Sequence, residues 1–364
     1  MEAKKQYKSI GEYAYYLDDP ALGKGAFGKV YRGWEQTDTN KLVAIKVIPS
    51  SIVKKYINAD KQKAFMREIN VLKKIKGRHI LEFKDAIMSK SQNLYIITSY
   101  LKDGNLTCFL NKEGGKLPIA QALTILSQIC QAFKEIEDLR IENEKGEVVT
   151  IMHRDIKPEN ILMRDGEAIL ADFGFAKFIP ADDREVQANH TKLGTPIYMS
   201  PQLLKQENYS YKCDIWSMGV VTYELIFGKK PWTGTNVMSI ESSIQNNPLT
   251  FPETIPKSVE DLIRQMLSYE EKDRPDWNDI LNHAAYQELS PKPEIGVKLV
   301  PEFDSKAKVN DSDAKQDSEG SPQSNKIVNG ANPSPPKERI VILGRESISR
   351  PLYKDRIIKV LEDS

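Results

Sequence analysis

Cysteine is scarce in this chain. Cys108, Cys130 and Cys213 are the only three in 364 residues, and no two stand as a C-x-x-C pair. That argues against a disulfide framework and a structural zinc site; it suits a reducing compartment, so a cytoplasmic or nuclear location is expected. An excess of one charge is missing too. With 52 basic and 51 acidic residues the net charge is +1, which offers no strong field to nucleic acid or a membrane surface. No apolar run approaches the ~18 residues of a membrane span. The opening MEAKKQYKSIGEY has no apolar core, so no signal peptide is expected. Internal repeats are absent as well. What is left is an ordinary globular composition, 40% hydrophobic and 28% charged, long enough for two compact units and extra segments.

Residues 1–15 are polar and tyrosine-rich and read as a loosely held lead-in. From Tyr16 to Val47 the pattern is strand–turn–strand. Leu22-Gly23-Lys24-Gly25-Ala26-Phe27-Gly28-Lys29-Val30 sets three glycines at G-x-G-x-x-G spacing, and Val43-Ala44-Ile45-Lys46-Val47 places a lysine inside an apolar β-forming run. Phe65, Ile69, Leu72 and Ile75 recur at helical spacing, so a helix is expected over 59–76, with Glu68 beside its apolar stripe. His79 to Phe83 and Leu94 to Tyr100 read as two more strands. The polar connector 99–104 then leads from a small strand-rich lobe to a helical one.

Pro118 opens the next helix, where its missing N–H is no loss. Leu123, Leu126, Ile129, Phe133 and Ile136 form its buried stripe. Residues 140–150, polar around Gly146, read as a solvent loop. Ile215 to Phe227, begun at Asp214 and stopped by Gly228, is apolar nearly all round and predicts a buried central helix. Further helices fit 237–245, 259–267 and 277–282. Composition shifts near Ser290. Residues 301–338, rich in Ser, Asp, Lys, Asn and Pro, cannot bury enough surface to offset their ordering entropy, and a disordered linker is expected over 287–338. The segment 339–364 carries a candidate short strand, Arg339 to Leu343, and an amphipathic pattern in Tyr353, Ile357, Ile358 and Leu361. It reads equally as a docking element and as a weakly structured end.

Two strings concentrate the chemistry: His153-Arg154-Asp155-Ile156-Lys157-Pro158-Glu159-Asn160, and Asp172-Phe173-Gly174. Alone, the glycine triplet is as well explained by a glycine-rich hairpin. A dinucleotide turn needs a helix directly after the last glycine; here Lys29-Val30-Tyr31 continues as a strand, which favours a phosphate-covering flap. A strand lysine usually snorkels on a solvated face, but the V-A-I-K context reverses that reading of Lys46. Phosphoryl transfer needs a positioned nucleophile, a held triphosphate and cations over the developing charge. The flap Gly23–Gly28 would cover ATP phosphates with backbone N–H groups. Lys46, held by Glu68, would contact the α- and β-phosphates. Asp172 would bind Mg2+ as a hard oxygen ligand, and Asn160 a second metal through its amide oxygen. Asp155 would accept the hydrogen bond of the incoming hydroxyl, and Lys157 would neutralise the moving phosphoryl group.

GKGAFGKV, VAIK, HRDIKPEN, DFG, GTPIYMSP, the CDIWSMG helix start and Asp273-Arg274-Pro275 occur in that order. From about Tyr16 to Tyr286 the chain resembles a eukaryotic protein kinase. Lys157, two residues after Asp155, and Thr195 resemble the serine/threonine kinases; the string Ile169 to Lys177 and the YMSP ending look like the ULK group, the autophagy-initiating kinases. The resemblance implies an α+β bilobal fold with a β-rich N-lobe (16–98), a hinge (99–104) and a larger helical C-lobe (105–286). It implies that Leu22, Val30, Ala44 and Leu162 sandwich the adenine. Thr98 matches the gatekeeper, and Ser99, Tyr100 and Leu101 the hinge whose backbone bonds the adenine edge. Lys24, Ala26, Phe27 and Glu159 fall among the nucleotide-contacting positions. Thr195 is implied to bond Asp155 and Lys157. Phe173, His153 and Leu72 match a regulatory stack, and Asp214 the aspartate that holds the catalytic-loop backbone. Thr191 matches the activation-loop phosphosite, where a phosphate could bridge Arg154 and Lys177.

The chain departs from the family where an Ala-Pro-Glu string usually ends the activation segment: here it reads Ser200-Pro201-Gln202. Gln202 can still accept from Arg274 but loses the charge–charge contribution, so Gln202→Glu is expected to raise stability or activity. The resulting expectation is an ATP- and Mg2+-dependent serine/threonine kinase acting on protein substrates, regulated by activation-loop phosphorylation. The alternative is a pseudokinase scaffold that binds ATP without transfer. A small-molecule kinase is disfavoured by the peptide-docking string GTPIYMSP.

Overall fold

Strand-forming residues crowd the first hundred positions, and they build one antiparallel sheet. The computed structural model describes residues 5–25, 28–56, 72–142, 146–180, 185–186 and 195–289. Strands β1 (Tyr7–Ile10), β2 (Tyr13–Tyr16), β3 (Gly23–Gly25), β4 (Gly28–Glu35), β5 (Asp38–Ile48), β6 (Phe83–Met88) and β7 (Leu94–Ser99) run in the order β1-β2-β4-β5-β7-β6, with β3 paired to β4. Period-2 alternation sorts the side chains of β5. Val43 and Ile45 are buried with Tyr95 and Ile97 of β7; Ala44 and Lys46 lie on the other face, in register with Thr98 and Ile96. Helix α1 (Ser50–Tyr56) follows β5. The helix expected over 59–76, and Glu68 with it, lies almost wholly outside the described residues.

Two expectations for this lobe are corrected. The stretch read as a loose lead-in holds the β1–β2 hairpin, paired Tyr7 to Tyr16 and Ile10 to Tyr13, and β2 pairs with β4. Ile10 and Tyr15 enter the lobe's apolar cluster, so the tyrosines that made the segment look polar are part of its packing. Gly11 turns the hairpin at φ 57°, and its missing Cβ avoids Ile87 Cδ1, which would lie at 2.7 Å. Tyr7 and Tyr16 meet Trp34 on the other face. The second correction concerns 79–83. The strand begins at Phe83 and runs to Met88. Residues 79–81 are stitched to the helical half instead, through Leu170 N–H to His79 O at 2.8 Å and Leu81 N–H to Leu170 O at 2.9 Å. Ile80 and Leu81 are buried there.

The helical half grows around one element. Helices α2 (Leu106–Lys112) and α3 (Ile119–Asp138) are followed by α4 (Pro201–Lys205), then the central α5 (Lys212–Phe227). Buried residues run along nearly all of α5, as its all-round apolar sequence requires. Gly228 caps it at φ 68°, where a Cβ would lie 2.9 Å from Gly115 O. Helices α6 (Val237–Asn246), α7 (Lys257–Met266), α8 (Trp277–Leu281) and α9 (Ala284–Leu289) complete it. Phe133 of α3 stacks on Trp277 of α8 with centroids 4.3 Å apart.

Short strands carry the strings 153–160 and 172–174 between these helices. Strands β8 (Ile141–Glu142) and β9 (Val148–Met152) pair, and β9 also pairs with β12 (Lys177–Pro180). Residues 140–150 are therefore partly a hairpin rather than a solvent loop. Ile141, Val149 and Ile151 are buried. Strands β10 (Ile161–Arg164) and β11 (Glu167–Leu170) form the hairpin between the two strings, and β13 (Glu185–Val186) pairs with β14 (Tyr209–Ser210). The readings for 287–338 and 339–364 concern residues that, apart from the end of α9, lie outside the described ones.

Candidate active site

The loop 153–160 is held from beneath by one carboxylate. Asp214, in the first turn of α5, accepts His153 N–H at 2.7 Å and Arg154 N–H at 2.8 Å. Burial pushes its carboxyl above the ordinary range. Arg154 has φ 64°, a left-handed backbone that a non-glycine residue keeps only where its surroundings over-determine it; the Asp214 clamp does that. His153 Nε2–H donates to Ala171 O at 2.9 Å, which leaves Nδ1 to accept from Asp155 N–H at 3.4 Å. Its ring lies 5.2 Å from that of Phe173, and Leu72 is buried in the same core.

Above this support, three predicted residues converge on a fourth, Asp155. Lys157 Nζ lies 2.9 Å from Asp155 Oδ2 and donates to Thr195 Oγ1 at 2.7 Å. Thr195 in turn gives Asp155 Oδ1 its N–H at 3.1 Å and its hydroxyl at 3.3 Å. Asn160 Nδ2 donates to Asp155 O at 2.8 Å and Oδ2 at 2.9 Å. With the nitrogen so used, the amide oxygen is the atom that Asn160 could offer a metal. Glu159, next to it, is exposed.

Lys46 and Asp172 lie 126 positions apart and meet across the cleft at 2.6 and 2.7 Å. Burial raises the Asp172 carboxyl, but the Lys46 ammonium outweighs it and holds the group below the usual carboxylate range. Asp172 has φ 59° and accepts Gly174 N–H at 3.3 Å. A Cβ on Gly174 would stand 3.0 Å from Asp172 Oδ1, so the glycine makes room for the pair.

The cleft roof follows from register. Val30 opposes Lys46 and Ala44 opposes Thr98, so these four share the face away from the buried cluster. Leu101 and Leu162 pack from below on Leu81, Ile169 and Ala171. Leu22 is 49% exposed at the mouth. Gly23 and Gly25 have nothing within 4 Å of a built Cβ; at Gly28 a Cβ would lie 2.0 Å from Val47 O. Two glycines thus leave open space beside Lys24, and the third lets β4 approach β5. Ala26 and Phe27 lie outside the described residues. At the hinge, Ser99 spends its N–H on Glu82 O at 3.0 Å and its hydroxyl on the Glu82 carboxylate at 2.7 Å. That hydroxyl holds Glu82 below the ordinary carboxylate range. The Ser99 N–H is therefore not available to an adenine edge. Sequence reasoning missed Glu82; its partner is on another strand, and no local pattern signals it.

Residues 16–285 match the family model for the protein kinase domain, most of the chain. The chain belongs to the protein kinase family. This kinase domain has relatives with the names of serine/threonine kinases. Serine/threonine-protein kinase 36 of Pongo abelii is 31% identical over 264 residues, 72% of this chain and 18% of that protein. Human serine/threonine-protein kinase ULK3 is 30% identical over 268 residues, 72% of this chain and 52% of that protein. Serine/threonine-protein kinase atg1 of Dictyostelium discoideum is 29% identical over 286 residues, 76% and 39% respectively. The last two are of the kind that the Ile169–Lys177 string resembles. The match spans about half or less of the length of these relatives.

The kinase domain's departure at Gln202 has a defined geometry. Arg274 Nη2 donates to Gln202 Oε1 at 2.7 Å, and Gln202 Nε2 donates to Tyr269 O at 2.9 Å. Both ends of the amide are used. The expected gain from Gln202→Glu is therefore withdrawn: a carboxylate would set an oxygen against the Tyr269 carbonyl. Of the regulatory candidates, Arg154 Nη1 donates to Tyr209 OH at 3.2 Å, Lys177 lies on β12, and Thr191 lies outside the described residues.

Proposed function

We propose that this domain transfers the γ-phosphoryl group of ATP to serine or threonine hydroxyls of protein substrates. The observation that carries the reading is the Asp155–Lys157–Thr195 arrangement beside Asn160. Asp155 is buried, yet its carboxylate is oriented on both oxygens by donors from Thr195, Lys157 and Asn160. Such a carboxylate can accept the hydrogen bond of an incoming hydroxyl and align it with the phosphorus. The new bond forms from that oxygen to the γ-phosphorus as the β,γ-bridging oxygen departs with ADP; the hydroxyl proton passes toward Asp155. Lys157, part-exposed beside it, supplies positive charge where the transferred group carries negative charge. Thr195 fixes the angle between the two.

The donor set suits Mg2+. Asp172 offers carboxylate oxygens and Asn160 an amide oxygen, and among the described residues no three His, Cys, Asp or Glu side chains form a cage. Mg2+ is commonly held by one or two such ligands together with substrate phosphates and water. When bound, it neutralises phosphate charge. Lys46 is the group that both the nucleotide phosphates and Asp172 would share. The open space at Gly23 and Gly25 is where a backbone flap can approach phosphates.

A phosphate on Thr191 is the regulation proposed, received by Arg154 and Lys177. The side chain of Arg154 already reaches Tyr209 of β14, which pairs with β13 between Lys177 and Thr191. The three free thiols support the reducing compartment proposed for it, the cytoplasm or nucleus. Among the described residues no helix is long and apolar enough to cross a membrane. A docking partner for the 339–364 segment is part of the same proposal.

The deciding experiment is phosphate transfer from labelled ATP onto a serine- and threonine-containing peptide array, with Asp172→Asn as control. Transfer by the native chain and none by the control is expected. ATP binding with no transfer by either would overturn the reading in favour of a scaffold, and transfer surviving in the control would trace the signal to another kinase.

A further inference from the structure

Arg274 is 2% exposed, and its donors end almost wholly on neutral acceptors. Nε reaches Ser268 O at 2.8 Å, Nη1 reaches Lys212 O at 3.2 Å, and Nη2 reaches Gln202 Oε1 at 2.7 Å and Tyr269 O at 3.1 Å. The guanidinium also lies 5.0 Å from the Trp216 ring centroid. A buried charge satisfied only by dipoles carries a large desolvation penalty. Among the described residues one carboxylate comes within ion-pair distance: Glu271 Oε1, 3.7 Å from Nη1. Glu271 has a second task. Its two oxygens accept Ser210 N–H at 3.1 and 3.0 Å. Ser210 belongs to β14, whose partner β13 is a strand of the activation segment, with Glu185 opposite Ser210 and Val186 opposite Tyr209.

We propose that Glu271 is the counter-ion of Arg274 in place of a glutamate at position 202, and that by holding Arg274 and Ser210 together it positions the peptide-binding end of the activation segment. The effect on peptide use rests on the kinase reading; the charge compensation does not. Burial pushes Arg274 down to about 10, and Glu271 is the first group opposing that. The arrangement also explains why an amide fits at 202. With the charge supplied from Glu271, position 202 can donate to the Tyr269 carbonyl while accepting from Arg274, which a carboxylate cannot do. Glu271 is thus a positioning residue, acting on the substrate through α4 and β14 and touching no reacting atom.

The test is a double-mutant cycle on the full chain: native, Glu271→Gln, Gln202→Glu, and both together. Melting temperature is read without turnover, and the Michaelis constants for peptide and ATP are read separately. Glu271→Gln should lower the melting temperature by about 5 °C or more, as for a buried pair that loses one partner. It should raise the peptide constant while leaving the ATP constant nearly unchanged. Gln202→Glu alone should lower the melting temperature, whereas in the Glu271→Gln background it should raise it, because a carboxylate is then restored to Arg274. Should Glu271→Gln fail to fold, Glu271→Asp, which keeps the charge, should fold and melt nearer the native value. An unchanged melting temperature in Glu271→Gln, or single losses that simply add in the double variant, would overturn the proposal. So would a Glu271→Asp chain that also fails to fold. A chain that shows the coupling but no phosphate transfer would keep the counter-ion and remove only the kinase reading.

Discussion

Lys46 and Asp172 neutralise each other across the cleft at 2.6 and 2.7 Å. One comes from near the end of β5 in the β-rich half, the other from the loop after β11. The pair ties the two halves at the point where a nucleotide's phosphates are expected.

Removing the lysine should destabilise the nucleotide-free chain. Lys46→Met leaves the Asp172 carboxylate without its partner, at a loss on the order of 1–2 kcal/mol for a half-buried pair. Because the Asp172 pKa is lowered in the folded state, this contribution is present in full well above the ordinary aspartate value. It disappears as pH falls through the lowered one. Thermal melts of native chain and variant should therefore differ at pH 7, begin to approach each other only below about pH 4, the ordinary aspartate value, and converge at still lower pH. A gap that persists in acid would point to lost packing instead.

Thr195 donates to Asp155 twice and receives Lys157. Thr195→Ser should retain most of the turnover. Thr195→Ala should lower kcat by about 10²-fold, since the two charged groups lose their common orienting hydroxyl. Its ATP Michaelis constant should change little. Steady-state kinetics on one peptide substrate distinguish the two variants.

The three flap glycines should respond unequally. Gly23→Ala has open space around the new methyl, whereas Gly28→Ala drives one to 2.0 Å from Val47 O. The first should fold normally and act, if at all, on ATP affinity. The second should lower the melting temperature before any ligand is added. Calorimetric melts with and without ATP separate the effects; equal loss in both variants would contradict the backbone-contact argument.

The β1–β2 hairpin should be part of the fold. Tyr15 is 4% exposed and packs with Ile45, Tyr95 and Ile97. Tyr15→Ala should cost about 3 kcal/mol, in the range for emptying a large aromatic from a core. Urea denaturation gives the value, and a shift below about 0.5 kcal/mol would return the segment to the lead-in first expected.

Most of the arrangement around Asp155 was legible in the sequence because its residues are local. Asp155, Lys157 and Asn160 occupy one short string, and a change of residue type at any of them would be visible at once. The central helix was legible for a related reason: an apolar run with no polar face has nowhere to go but inside, and α5 is buried accordingly. The hairpin at 7–16 was not legible, because tyrosine reads as polar or apolar according to what its ring meets. Ile80 and Leu81 looked like a strand, and their alternation could not say that the segment bonds to β11 rather than continuing β6.

By itself, then, the sequence determined which groups the proposed phosphoryl transfer can draw on and which runs must be buried, since residue type and short-range spacing decide both. Tertiary structure alone decided which groups compensate one another. Lys46 found Asp172 and Ser99 found Glu82 over distances in the chain that no periodicity spans. At Gln202 the sequence showed a missing charge. Only the packing that buries Arg274 against Lys212, Gln202 and Tyr269 made Glu271, three residues earlier in the chain, the carboxylate that has to answer the guanidinium, because a charge cut off from water is satisfied by whatever lies next to it in space.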